Sequence, residues 1–468
     1  MTYPPNPPPI NYEDELYNSN NEETPLLEDN TKLAKLYSRN SKKKVVRNTR
    51  LSILAKCSCC AFLTLFLLIS LNLVYFSFSV NNQMHLSFSN SDTTNLTATW
   101  VSLFNPNNKP LYLEVYNSNL SVSNLIQATV TYYCAPGSLS RYIMEATINT
   151  ENYKFPIQYR INSRDFVSNY YTATLPTQNN SKNLIIYADM GYLFDYAAHS
   201  IHNEVDTGNY DLIFHVGDIA YNMDWYFGTV SDLFFSEIEG FSSKIPYMVV
   251  PGNHENANNF SFYKNLFNMP DKNEYDNLFY SLDIPPIKMI NINTEAYYFK
   301  SLEPTIETQY NFIINELNTT DRKLFPWLIV TGHRPMYCSS DDNDDCVSWK
   351  KDKLRLALES VFYKYNVTLF ISGHEHKYER VCPVFNGVCQ NTSSIYNYKL
   401  NGLLPIHIIT GAAGNIEGLG GFNKSPNNFS LVRIKNYGYG TLLANYSQLN
   451  WKQKGLDMNV LDEFTIFA

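Results

Sequence analysis

Charge is scarce in this chain, and one stretch has none. Asp, Glu, Lys and Arg make up 17% of the 468 residues, and none of them occurs from Cys57 to Ser91. The first 30 residues carry seven acids but no Lys or Arg, whereas residues 31–56 carry nine Lys or Arg and no acid. No basic face suits nucleic acid, and the chain's formal charge of −8 disfavours such a partner. The uncharged gap holds CSCCAFLTLFLLISLNLVYFSFSV at 57–80. A membrane-spanning helix needs about 20 apolar residues, and this run is long enough. A cleaved leader would have a short basic start and a shorter apolar core. With 56 residues ahead of it and basic residues on its N-terminal flank, the run reads as a retained signal anchor with a cytosolic N-terminus. This predicts a single-pass type II membrane protein, with everything after residue 80 lumenal or extracellular.

The rest of the composition agrees. Asn-X-Ser/Thr acceptors stand at Asn95, Asn119, Asn179, Asn259, Asn318, Asn366, Asn391, Asn423, Asn428 and Asn445, all after the apolar run. The expectation is a glycosylated ectodomain. The N-terminal tail, residues 1–56, reads as disordered. It contains Glu22, Glu23, Thr24, Pro25, Leu26 and Leu27, which resemble the acidic dileucine signal read by sorting adaptors and point to an endolysosomal or plasma-membrane location. The eight cysteines divide by compartment. Cys57, Cys59 and Cys60 sit at the cytosolic membrane edge, where acylation is chemically open to them. In an oxidising lumen, Cys338 with Cys346 and Cys382 with Cys389 read as two short-loop disulfides. Cys134 is left over, either buried or joined to a second chain.

Residues 83–178 lack a helical period and show short β-rich pieces, which predicts a β-sandwich. In the first piece Leu96, Ala98 and Trp100 alternate with Thr97 and Thr99, the pattern of a half-buried strand with Trp100 as core anchor. From residue 181 onward, apolar runs alternate with helical stretches, so an α/β domain over 181–468 is expected, its strands buried on both faces. Five of the runs end in residues that bind hard metal ions: YADMG, HVGDIAY, VVPGNHE, IVTGH and FISGHEH. Strand ends are where open α/β sheets build sites, so islands far apart in sequence can converge. Asp189, Asp218, Asn253, His333 and His374 are separated by 29, 35, 80 and 41 residues, an order far more specific than any one GH or GNH.

These islands resemble those of metallophosphoesterases, and among them the purple acid phosphatases. Gly191 stands where generic members have a His, and Tyr221 supplies the missing ligand, which resembles the purple branch. The resemblance covers nearly all of residues 83–468. It implies a four-layer-type β-sheet sandwich catalytic domain preceded by a fibronectin type III-like β-sandwich. By the same resemblance, Asp189, Asp218, Tyr221 and His376 hold Fe(III), while Asp218, Asn253, His333 and His374 hold a divalent ion (Zn, Fe or Mn). Two carboxylates and a phenolate suit the trivalent ion, and neutral amide and imidazole groups suit the divalent one. An ion pair about 3.5–4 Å apart clamps a phosphate and lowers the pKa of bound water. A metal-bound hydroxide is then the expected nucleophile toward a phosphate monoester, and His254 the group that steadies the transition state or protonates the leaving oxygen. The alternatives are a phosphodiesterase or nucleotide-sugar hydrolase on the same site, and, remotely, an inactive membrane glycoprotein or receptor. Dimerisation is common in the family, though no feature here requires a homodimer. Plant members carry further histidines after the position of His333. This chain has RPMYCSSDDNDDC there instead, with the acids Asp341, Asp342, Asp344 and Asp345.

Overall fold

The computed structural model describes residues 83–468 apart from 104, 107–109, 118–121, 165, 176–179, 341–345, 347–350 and 425–426. The expected anchor at 57–80, the tail signal at Glu22, Leu26 and Leu27, the acceptors Asn119 and Asn179, and the acids at 341–345 all lie outside the described residues. Among the described residues, no helix is long and apolar enough to cross a membrane.

Two four-stranded antiparallel sheets come first. One runs in the order His85–Phe88, Asn95–Ser102, Arg141–Asn149, Thr129–Tyr133; the other runs Val122–Gln127, Leu111–Asn117, Ile157–Ser163, Tyr171–Ala173. The chain breaks at Ala128, so that Val122–Gln127 joins one sheet and Thr129–Tyr133 the other. One correction concerns Thr97 and Thr99, read as solvent-facing. Both are fully buried, as are Leu96, Ala98 and Trp100. The cause is a second layer over that face. On the neighbouring strand, His85 stacks on Phe235 with ring centroids 4.6 Å apart, and Ser87 donates to the Asn268 carbonyl at 2.7 Å. Across the sheet, Arg141 pairs with buried Asp232 at 2.8 Å on the helix Thr229–Ser242.

The remainder is an α/β, sheet-rich fold built on two seven-stranded sheets. In the first, Tyr247–Val250, Leu212–Val216 and Ser181–Tyr187 run parallel. That sheet continues through the antiparallel strands Gly438–Asn445, Gln448–Gly455 and Val460–Phe467, with Asn397–Lys399 at its edge. In the second, Ile287–Asn291, Trp327–Thr331, Leu369–Ser372 and Ile406–Thr410 run parallel, and antiparallel strands lie at both margins. The parallel strands are Val-, Ile- and Leu-rich, and 212–216, 327–331 and 406–410 are buried at every position, as expected for strands covered on both faces. The two sheets join through Trp327, whose indole N–H donates to the Asn445 carbonyl at 2.6 Å, and through Arg380, which pairs with Asp462 at 2.7 Å.

Candidate metal centre

Register fixes where the five islands end. His215 pairs with Tyr187 and Val216 with Val250, so Asp189, Asp218 and Asn253 leave the first sheet at one end. Thr331 pairs with Ile371, which places His333 and His374 together at the C-terminal edge of the second. The chain turns sharply there. Asp189, Asp218, Tyr221 and His374 have φ of 59°, 50°, 55° and 69°, the left-handed region that side chains with a Cβ rarely adopt. Backbone of this kind persists only where its surroundings over-determine it, and it clusters at functional sites. Glycine makes the close approach possible: a Cβ on Gly252 would lie 2.3 Å from the Asp218 carboxylate, and one on Gly373 would lie 2.4 Å from that of Asp189.

All seven proposed donors fall in one cluster. Tyr221 Oη is 2.6 Å from His376 Nε2 and 3.2 Å from Asp189 Oδ1. His333 Nε2 is 3.1 Å from Asp218 Oδ2 and 3.2 Å from Asn253 Oδ1. Asp218, His333 and His374 can offer ligand atoms within 4.8 Å of one another. The ring orientations decide which atoms are offered. His333 Nδ1 bonds the Val216 carbonyl at 3.0 Å and His376 Nδ1 bonds the Gly418 carbonyl at 3.1 Å, so each directs Nε2 inward with its lone pair available. With these imidazoles neutral, the set offers the lone pairs that cations take.

Electrostatics agree. Burial works against charge on Asp218, yet His333 and His254 hold its carboxyl far below the usual range. His333 shows the converse: burial alone would lower it, but the Asp218 carboxylate raises it to about 9. Burial, then Asp189 and Asp218, push the Tyr221 phenol well above its ordinary value, so a phenolate there needs a cation beside it. His254 stands apart. Its backbone N–H donates to Asp218 Oδ1 at 2.8 Å, its ring lies 4.4 Å from that of Tyr221, and its Nδ1 meets Asn222 Oδ1 at 3.2 Å. Its Nε2 faces Glu417 at 3.5 Å.

The sequence reading overlooks several residues of this site. Glu255 is buried beneath it and accepts the backbone N–H groups of Asp218, Ile219 and Gly252 at 2.9, 2.9 and 2.8 Å. Burial, then the Asp218 carboxylate, pushes Glu255 up to about 8. Its position two residues after Asn253 was the available signal. Asn415, in the glycine-rich segment 411–418, donates to the Asp189 carbonyl at 3.3 Å. Arg334 and Glu295 also border the site, and nothing in their local sequence marks Glu295.

Cys338 is joined to Cys346 just beyond His333, and Cys382 to Cys389; Cys134 is exposed and, among the described residues, in no disulfide. Of the eight described acceptors, Asn259, Asn318, Asn366, Asn391 and Asn428 are exposed, while Asn95, Asn423 and Asn445 are half-buried. His215 and His407 are buried strand residues.

Residues 182–378 match the calcineurin-like phosphoesterase family, and residues 404–463 match the iron/zinc purple acid phosphatase-like protein C family. The chain is 36% identical over 373 residues to acid phosphatase type 7 of Mus musculus, covering 76% of this chain and 83% of that one. It is 30% identical to a probable inactive purple acid phosphatase 1 of Arabidopsis thaliana, covering 71% of this chain and 58% of that one. Among solved structures it resembles the purple acid phosphatase from yellow lupin seeds, with a TM-score of 0.71 at 24% identity over 83% of this chain and 75% of the other. That likeness is one of fold.

Proposed function

We propose that this chain, which belongs to the purple acid phosphatase family of metallophosphoesterases, hydrolyses phosphate monoesters at acidic pH with an Fe(III)–M(II) pair. The family depends on a dinuclear metal centre. The observation that carries the reading is the convergence of seven donors from two sheets around Asp218, with the His333 and His376 rings locked so that Nε2 points inward. Asp189, Asp218, Tyr221 and His376 would hold the trivalent ion; Asp218, Asn253, His333 and His374 the divalent one. Bound ions supply the Lewis acidity that clamps a phosphate and the activated water that attacks it. Asp218 would be shared by both ions; its Oδ2 faces His333 Nε2 at 3.1 Å and its Oδ1 accepts the His254 backbone N–H at 2.8 Å. Asn222 holds His254 Nδ1, which leaves Nε2 as the atom facing the mouth, where a proton can pass to the leaving oxygen.

The deciding experiment is metal analysis and a visible spectrum of the purified protein, followed by rates on 4-nitrophenyl phosphate and bis(4-nitrophenyl) phosphate. Two metals, a tyrosinate band and faster monoester cleavage are expected. Faster diester cleavage would move the assignment to a phosphodiesterase, and an inert, fully metallated protein would align it with the relatives named inactive. We extend the proposal to a type II anchor at 57–80 with a glycosylated ectodomain in an endolysosomal compartment or at the plasma membrane. Replacing Leu26 and Leu27 by Ala should shift the protein to the cell surface, and an unchanged vesicular location would refute the sorting signal.

A further inference from the structure

We propose that the Arg334 guanidinium contacts the substrate, binding its phosphoryl oxygens at the edge of the centre on the His374 side. This rests on the metallophosphatase reading above and names a group that the metal-ligand set does not include.

Arg334 follows His333 directly, so the strand that delivers one donor also delivers a fixed positive charge. Its side chain is only 8% exposed, and a buried cation needs firm compensation. Glu295, fully buried, accepts the Nε–H with its oxygens 2.9 and 2.9 Å away. The Tyr298 ring lies beneath the guanidinium at 4.2 Å, and the Arg334 backbone N–H donates to Thr294 Oγ1 at 2.9 Å. Asn293 in turn accepts the Glu295 N–H at 3.0 Å, which pins the carboxylate's own backbone. The Nε edge of the guanidinium is thereby fixed, and its Nη1 reaches His374 Nε2 at 3.1 Å.

That last contact has a chemical consequence. A guanidinium only donates, so the bond requires a lone pair on His374 Nε2. An imidazole that binds an ion through one nitrogen carries its proton on the other, so neither nitrogen then has a lone pair to accept with. Ion binding at His374 and this hydrogen bond exclude each other. With an ion bound at His374, the Nη1 N–H would need another acceptor, and a phosphate ester at this edge of the centre would offer its phosphoryl oxygens. A planar guanidinium with a fixed inner edge suits two phosphoryl oxygens better than a lysine would. Lys353 Nζ lies 5.5 Å from the same Tyr298 ring. The arrangement gives a second way to hold phosphate in a chain without the imidazoles that plant relatives carry after this position.

The test compares the metal-loaded full-length protein with Arg334→Lys and with the double variant Arg334→Gln/Glu295→Gln, which avoids stranding a buried carboxylate. Metal content, inorganic phosphate affinity by calorimetry, and kcat and KM for 4-nitrophenyl phosphate are measured. Both variants should keep their metals. In the double variant the phosphate Kd and KM should rise roughly 10–100-fold, as expected for losing a charge-assisted pair, with a smaller rise for Arg334→Lys. Full metal content with wild-type phosphate affinity in either variant overturns the proposal. Loss of metal from Arg334→Lys, which retains the charge, also overturns it, because the residue would then be structural. A metal-loaded wild type that binds no phosphate defeats the phosphatase reading itself, a distinguishable result.

Discussion

The two seven-stranded sheets contribute different chemistry. The first supplies only oxygen donors, Asp189, Asp218, Tyr221 and Asn253; the second supplies only imidazoles, His333, His374 and His376. Each sheet therefore has its own problem to solve. The first must bury negative charge next to negative charge, and it places Glu255 so that backbone N–H groups from two strand ends converge on one carboxylate. The second must fix tautomers, and it does so with carbonyls from outside its own strands, Val216 for His333 and Gly418 for His376. The Val216 carbonyl belongs to the first sheet, so the imidazole side is aligned by the oxygen side.

The largest break in this comparison comes from Asp218, the donor proposed to serve both ions. Asp218→Asn keeps the shape but removes the charge that His333 faces at 3.1 Å. Metal content should fall and hydrolysis of 4-nitrophenyl phosphate should drop by more than the roughly 10–100-fold typical of residues that only support a ligand. A variant with two metals and more than a tenth of wild-type activity would deny Asp218 its shared role. Glu255→Ala comes next. It leaves three inward-facing N–H groups without their acceptor, at about 1–3 kcal/mol for each buried group left unsatisfied. Thermal melting should fall by several degrees, and metal affinity should weaken about 10–100-fold although no ligand has changed. Unchanged metal affinity would reduce Glu255 to a structural residue.

The sequence makes one side of this comparison easier to read than the other. Asp189, Asp218, Asn253, His333 and His374 were legible because each ends an apolar run, and strand ends converge in such folds. The antiparallel strands 438–445, 448–455 and 460–467 were not, although they complete the first sheet. In 448–455 the apolar Leu449 and Trp451 alternate with Gln448, Asn450 and Lys452, and that pattern does not say which sheet the strand joins. Thr97 and Thr99 were misread for a related reason: periodicity reports polarity, whereas burial here comes from a layer more than a hundred residues away in sequence, at Phe235 and Asn268. Arg334 and Glu295 stayed hidden because their meaning lies in a contact between two strand ends that no local motif encodes.

A finer test separates backbone approach from donor chemistry. Gly373→Ala would bring a Cβ to 2.3 Å from Ala188 Cβ and 2.4 Å from Asp189 Oδ2, pressing the imidazole-bearing strand against the oxygen-bearing one. Gly252→Ala crowds Asp218 from within its own sheet, at 2.3 Å from Oδ1 and 2.4 Å from the backbone N. Overpacking of this kind costs about 1–3 kcal/mol. Both variants should melt earlier and lose metal, and Gly373→Ala should disturb the pairing of the two sheets more. Equal metal affinity in wild type and both variants would show that the sheets have slack where the structure shows contact.

The smallest expected effect on the fold, and the sharpest on identity, belongs to Tyr221→Phe. The ring remains to pack 4.4 Å from His254, so the proposed proton donor keeps its place. Only the hydroxyl is lost, together with its contacts to His376 and Asp189 at 2.6 and 3.2 Å. Because burial and two carboxylates oppose ionisation of this phenol, a phenolate band in the visible spectrum requires a cation at Tyr221. Stability should change by no more than about 1 kcal/mol, while the band should vanish and iron retention should fall relative to a divalent ion. A coloured Tyr221→Phe protein would place the chromophore on another tyrosine, and the oxygen-rich sheet would lose the donor that distinguishes it from that of a generic metallophosphoesterase.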